Sequence, residues 1–163
     1  MDKYDSAEDT WRHIDRVNQL MFIVASKLLG RAIEHDSSKL SGDEKEGFDK
    51  WSPLRKMYEF GSEEYSATLE GLGETLKHHY KNNSHHPEHY ENGINDFCLF
   101  DLVEMFIDWV ASSETGINGH IQKSIDVGAK RFKMSDQLVS ILRNTAVKYE
   151  NDFNQKGDVE CQK

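Results

Sequence analysis

The sequence predicts an all-α fold, a single-domain helical bundle, on three observations. Apolar residues recur at three- and four-residue steps over long stretches, two prolines (Pro53 and Pro87) serve 163 residues, and Gly/Asn-rich turn clusters fall at wide intervals. A chain of this length can bury a real core as one ordinary domain without staples. Residues 1–150 are assigned to that domain and 151–163 to a polar, frayed tail.

From about Asp5 to Arg31, residues Trp11, Ile14, Val17, Leu20, Met21, Val24 and Leu28 mark one face of a helix, with His13 beside the stripe. A short turn then carries His35 and Asp36. Ser41-Gly-Asp-Glu44 reads as a capping box that opens the next helix. Residues 43 to 60 keep helical spacing through Phe48, Trp51, Leu54 and Met57, and Pro53 should start a new segment or bend the old one. Ser62 can cap a helix through Tyr65, Leu69, Leu72 and Leu76, with Gly71 and Gly73 each weakening it by roughly 1 kcal/mol relative to Ala. Residues 78 to 95, rich in His, Asn, Pro and Gly, read as a long loop.

Leu99 to Ser112 is the most apolar helix, apolar around nearly its whole circumference and therefore expected at the centre. Within it Asp101, Glu104 and Asp108 step by three and four, which puts the three carboxylates on one face. Buried acids need partners, so this face should meet something polar; Asp101 is read as the helix N-cap. A weaker helix follows over 117–132, and Ser135 caps a last one through Leu138, Ile141, Leu142 and Val147.

Lys plus Arg number 20 against 29 Asp plus Glu, a formal charge of −9, and such a surface repels long nucleic acids. Cys98 and Cys161 lie far apart and suggest neither a disulfide framework nor a thiolate zinc site, which fits a reducing cytoplasm. No charged-then-apolar leader opens the chain, and the longest apolar run, Leu20 to Leu29, is interrupted by Ser26 and Lys27, so no membrane association is expected. Oligomeric state is not readable.

Five of the eight histidines fall between His78 and His89. An early His13, the pair His35-Asp36, this cluster and Asp108 together supply nitrogen and oxygen ligands from four elements of a helical bundle. That donor set suits one or two divalent ions such as Mn, Fe, Co, Ni, Zn or Mg. Without thiolates such a site stays open to water. Which of His78, His79, His85 and His86 bind is left open. Lys39 has two readings, a solvated lysine and a phosphate contact, and so does Glu104, a group holding a histidine or a catalytic acid.

The order His13, His35-Asp36, Asp108 resembles the H…HD…D signature of the HD-domain metal-dependent phosphohydrolases, and His35-Asp36-x-x-Lys39 is similar to the HDxxK form of several branches. More narrowly, the chain resembles a family of small phage and bacterial proteins with HDxSK, HHxxxNxHH and EMxxDW, here at His35 to Lys39, His78 to His86 and Glu104 to Trp109. The resemblance implies an HD-like helical domain with His13, His35, Asp36 and Asp108 as a first metal site, and His79 with His85 or His86 completing a second or touching substrate. It further implies substrate contacts from Lys39, Asn82 and His86, and catalytic roles for Asp36, Glu104 and His79. The activity implied is metal-dependent hydrolysis of a phosphate ester or anhydride of a small metabolite, a nucleotide above all. The alternative is a non-catalytic protein that sequesters a metal or nucleotide or binds a partner. A ferritin-like redox bundle is disfavoured, because no Glu-x-x-His pair is present.

Overall fold

The computed structural model describes residues 4–115 and 119–153, and among these it is entirely helical, with six α-helices, three short 3₁₀ helices and no strand. Contacts divide the chain into two compact units, Met1–His35 and Asp36–Lys163. No helix among the described residues is long and apolar enough to cross a membrane.

The first unit is one helix. α1 spans Ala7–Glu34, 28 residues, or about 42 Å at 1.5 Å per residue. Glu8 and Asp9 in its first turn and Arg31 in its last oppose the helix dipole, and Gln19 donates to Asp15 one turn back. A single helix has no interior, so the apolar stripe from Trp11 to Leu28 has nothing to pack against within this unit.

The second unit begins with a 3₁₀ turn, Ser37–Leu40, that leads into α2, Gly42–Arg55. The expected capping box does not form. Ser41 makes no side-chain cap bond, and Glu44 turns inward to 2% exposure, where it meets Ser38, His78 and His79. Pro53 neither starts a segment nor divides α2; it stands in the last turn, and α2 stops two residues later.

α3 spans Glu63–Asn82, and the Ser62 hydroxyl accepts from the Tyr65 amide at 3.1 Å as its cap. α2 and α3 pack antiparallel through small residues. A Cβ on Gly47 would come within 2.1 Å of Thr75, and one on Gly71 within 2.4 Å of the Trp51 ring. Glycine at these places lets the two backbones approach and lets Glu44 reach His78 and His79 in the same register. Gly73 has another function: its φ of 28° and ψ of −101° kink α3.

α3 continues further than the expected loop boundary at residue 78. His78 and His79 are helical, because the Asn83 amide caps the His79 carbonyl at 2.8 Å and the Asn82 amide bonds the His78 carbonyl at 2.9 Å. The loop therefore begins at Asn83 and contains two 3₁₀ turns, Pro87–His89 and Gly93–Asp96.

α4, Leu99–Thr115, gives only one face to the core: Met105, Phe106 and Val110 pack with Ile121 and Ile125 of α5, Ile121–Arg131, and with Leu142 and Ala146 of α6, Asp136–Phe153. Val103 and Ile107 stand outside that core, contrary to the expectation of burial all round. Trp109 lies where a Cβ on Gly128 would come within 2.2 Å of its ring, which seats α5 on α4. Ser135 caps α6 by accepting from the Leu138 amide at 3.3 Å. Helix continues through Phe153, past the start of the expected tail, and residues 154–163 of that tail lie outside the described residues.

Candidate metal centre

Asp36 opens the 3₁₀ turn with φ 54° and ψ 13°, the left-handed region that aspartate tolerates better than most residues. The two oxygens of its carboxylate face different partners. Oδ2 accepts from the Lys39 ammonium at 2.5 Å, while Oδ1 lies 3.2 Å from His79 Nε2 and 3.5 Å from His85 Nε2. Lys39 also sits over the Phe48 ring, 4.9 Å from its centroid.

His79 comes from the last turn of α3, and His85 and His86 from the loop that follows. His79 and His85 are almost fully buried, at 1% and 2% exposure. His79 Nε2 is 2.9 Å from His86 Nε2. Asp36, His79, His85 and His86 thus each offer one ligand atom within 4.8 Å of the others. Two ligands at about 2.1 Å from a common ion are about 3.0 Å apart at a right angle and about 3.4 Å apart at the tetrahedral angle. The observed 2.9, 3.2 and 3.5 Å span that range.

The outer faces of the rings are held by acids. His79 Nδ1 lies 3.0 Å from Glu44 Oε2, and His85 Nδ1 lies 3.0 Å from Glu104 Oε1. A carboxylate on Nδ1 holds the proton there and leaves Nε2 with its lone pair directed inward, the tautomer that a metal-binding imidazole requires. Burial pushes the Glu44 carboxyl up, but bonds from Ser38, His78 and His79 outweigh it and hold the group below the ordinary carboxylate range. Burial, with His85 and His79 alongside, pushes His86 down to about 3, so its ring is neutral at physiological pH.

The carboxylate face of α4 meets this loop as its spacing implied. Glu104 holds His85, and Asp108 acts electrostatically on His86. Asp101 is not the N-cap. It stands third in α4, where Oδ2 accepts from the Cys98 amide at 3.0 Å and from the Tyr90 hydroxyl, and Oδ1 accepts from Ser84 at 2.9 Å. One carboxylate thereby closes the start of α4 and fixes the loop on both sides of His85 and His86. Four formal negative charges, on Asp36, Glu44, Glu104 and Asp108, surround three imidazoles and one lysine, a donor set that fits a divalent cation.

His13 is at an exposed position on α1 in the first unit, and His35 ends that unit, joined directly to Asp36. Asn82 is exposed and bonds His78, while Asn83, the asparagine of the HHxxxNxHH motif, reaches Ser38 Oγ at 3.1 Å within the cluster. The sequence signal for the inward role of Glu44 is that it lies on one face of α2 with Phe48 and Trp51, an acid heading an apolar stripe.

Beside the cluster opens a cavity of about 300 Å³, lined by residues of the second unit that include Lys39, His79, His86 and Asp108. Tyr80, whose ring lies 4.8 Å from that of His86, and Arg131, paired with Glu88 at 2.6 Å, form another part of its wall. A family model, described as "Family of unknown function (DUF5662)", matches residues 2–148. No curated protein and no solved structure matches the chain.

Proposed function

The chain belongs to the DUF5662 family, and we propose that it is a metal-dependent phosphohydrolase whose ion is held by Asp36, His79, His85 and His86. The observation that carries this reading is the pair of buried imidazoles, His79 and His85, each with Nδ1 on a carboxylate and Nε2 toward Asp36, of which His79 lines a cavity together with His86, Lys39 and Asp108. A divalent ion bound there supplies Lewis acidity, acidifying water and drawing charge from a phosphoryl oxygen. The chain's own groups do the rest. Glu44 and Glu104 position His79 and His85. Lys39 orients Asp36 through Oδ2 and presents a positive charge to a phosphate in the cavity. Asp108 takes a proton from water as it attacks phosphorus; the P–O bond to the leaving group breaks, and the proton passes to the leaving oxygen. Catalysis is thus assigned to Asp108, while Glu104 holds a ligand.

The substrate class supported is a small phosphorylated metabolite, a nucleotide first. Screening nucleoside mono-, di- and triphosphates and cyclic nucleotides with Mn, Co or Mg tests this; folded, metal-loaded protein that turns over none of them would sink the reading. His13 and His35, which the HD-domain resemblance adds to the ligand set, are tested by the metal affinity of His13→Ala and His35→Ala.

One observation favours a second reading, a non-catalytic binding protein. Four protein ligands close a tetrahedral site, as structural zinc sites do, whereas an ion that takes six ligands keeps positions for water and substrate. Tetrahedral zinc in the purified protein with no turnover would favour it.

A further inference from the structure

Resting on the reading of this centre as a phosphoester site, we infer that its substrate is a short single-stranded oligonucleotide, with one phosphate at the metal centre and a second held by Arg55 at the far end of the cavity. α2 sets the scale. Glu44 holds His79 at the cluster, and Arg55, eleven residues later in the same helix, lines the same cavity. Eleven residues are close to three turns, so Glu44 and Arg55 share a helix face and lie about 16 Å apart along the axis. Phe48 lies between them on that face and also lines the cavity.

The cations of the cavity differ in what they already hold. Lys39 is paired with Asp36, Lys123 with Glu59 and Arg131 with Glu88. Arg55 is half-buried and, among the described residues, its guanidinium has no hydrogen-bond or ion-pair partner. A guanidinium in that state is matched in geometry and charge to a phosphate. Of the five basic residues that line the cavity (Lys39, Arg55, Lys56, Lys123 and Arg131), three are paired with acids, so among the described residues the uncompensated positive charge is that of Arg55 and Lys56 at one end. Positive charge confined to one end favours a short anion over a long one.

Aromatic rings line the same cavity. Tyr65 and Tyr80 of α3 and Trp109 of α4 line the cavity with the basic residues. Rings interleaved with cations are the pattern on which single-stranded bases stack, whatever their sequence. A mononucleotide has its charge at one end only and cannot engage both the centre and Arg55. A dinucleotide phosphorylated at both termini can, with two bases for the rings.

The experiment is equilibrium binding by calorimetry of pTpTp, pTpT and pT, each in non-hydrolysable phosphonate form, to Mn-loaded wild type and Mn-loaded Arg55→Gln. Wild type should bind pTpTp at least about 10-fold more tightly than pTpT, since a charge-assisted contact contributes about 1.5 kcal/mol or more. Arg55→Gln should abolish that difference and leave pT unchanged. Equal affinity of wild type for pTpTp and pTpT, equal weakening of all three ligands in the variant, or no binding at all would each overturn the inference. The hydrolysis reading fails separately: pTpTp bound through Arg55 but never cleaved by metal-loaded protein removes catalysis and keeps the oligonucleotide, whereas cleavage of pT with no preference for pTpTp does the reverse.

Discussion

Replacing Glu44 by Gln changes one oxygen to an amide and separates metal binding from folding. Glu44 Oε2 takes the Ser38 hydroxyl at 2.8 Å and faces His79 Nδ1 at 3.0 Å, and Oε1 faces His78 Nδ1 at 2.6 Å. Glutamine has one acceptor oxygen for these donors, and its NH₂ must face either His78 or His79. The negative charge that fixes the His79 proton on Nδ1 is removed. Loss of such a supporting carboxylate costs about 10- to 100-fold in metal affinity, or about 1.4–2.7 kcal/mol. Folding of the metal-free protein should change by less than about 2 kcal/mol, because a lost charged hydrogen bond is offset by relief of a buried charge. Calorimetric titration with Mn, Co and Zn gives the first quantity and urea denaturation in EDTA the second. His78→Gln is the control, expected to shift affinity by less than about 3-fold, since His78 shares Glu44 but lies outside the ligand group. Unchanged affinity in folded Glu44→Gln, or an equal loss in His78→Gln, would refute the account of His79.

Other expectations follow from the same geometry. Glu104→Gln should lower metal affinity about 10- to 100-fold through His85 and leave the fold intact; the same titration decides it. The metal-free protein should lose stability in acid. His86 is held near 3 while the unfolded chain takes its proton near 6.5, so stability falls from about pH 6.5 down to about pH 3, at up to about 1.4 kcal/mol per pH unit. Glu44, held low, acts in the same sense: its contribution is present above about pH 4.3 and is lost as pH falls through its folded value. Urea midpoints at pH 7 and pH 5 measure the effect, and His86→Phe should flatten it. Gly71→Ala should destabilise by about 1–2 kcal/mol despite better helix propensity, because the new Cβ meets the Trp51 ring; a variant as stable as wild type in chemical denaturation would show that the ring is not packed there.

The helices were readable because period and caps are local. Ser62 and Ser135 cap α3 and α6 through contacts three residues away, within reach of a sequence window. The spacing of Asp101, Glu104 and Asp108 likewise placed three acids on one face of α4, and that face meets the histidine loop. What sequence could not resolve were choices between a local and a distant partner. Ser41-x-x-Glu44 is a good local cap, yet Glu44 turns to histidines more than thirty residues away, where a buried acceptor is needed more. Asn82 and Asn83 are adjacent and alike in composition, and only the end of α3 decides which one enters the cluster. The boundary at residue 78 failed for the same reason, since two asparagine side chains cap carbonyls that composition assigned to a loop.

The central claim is that a divalent ion sits on Asp36, His79, His85 and His86. Elemental analysis of purified wild type beside Asp36→Ala and His79→Ala tests it most directly, with circular dichroism to show that all three are helical. About one divalent ion per chain is expected in wild type, with most of it lost in both variants; a wild type without stoichiometric metal, or variants that retain it in full, would contradict the assignment.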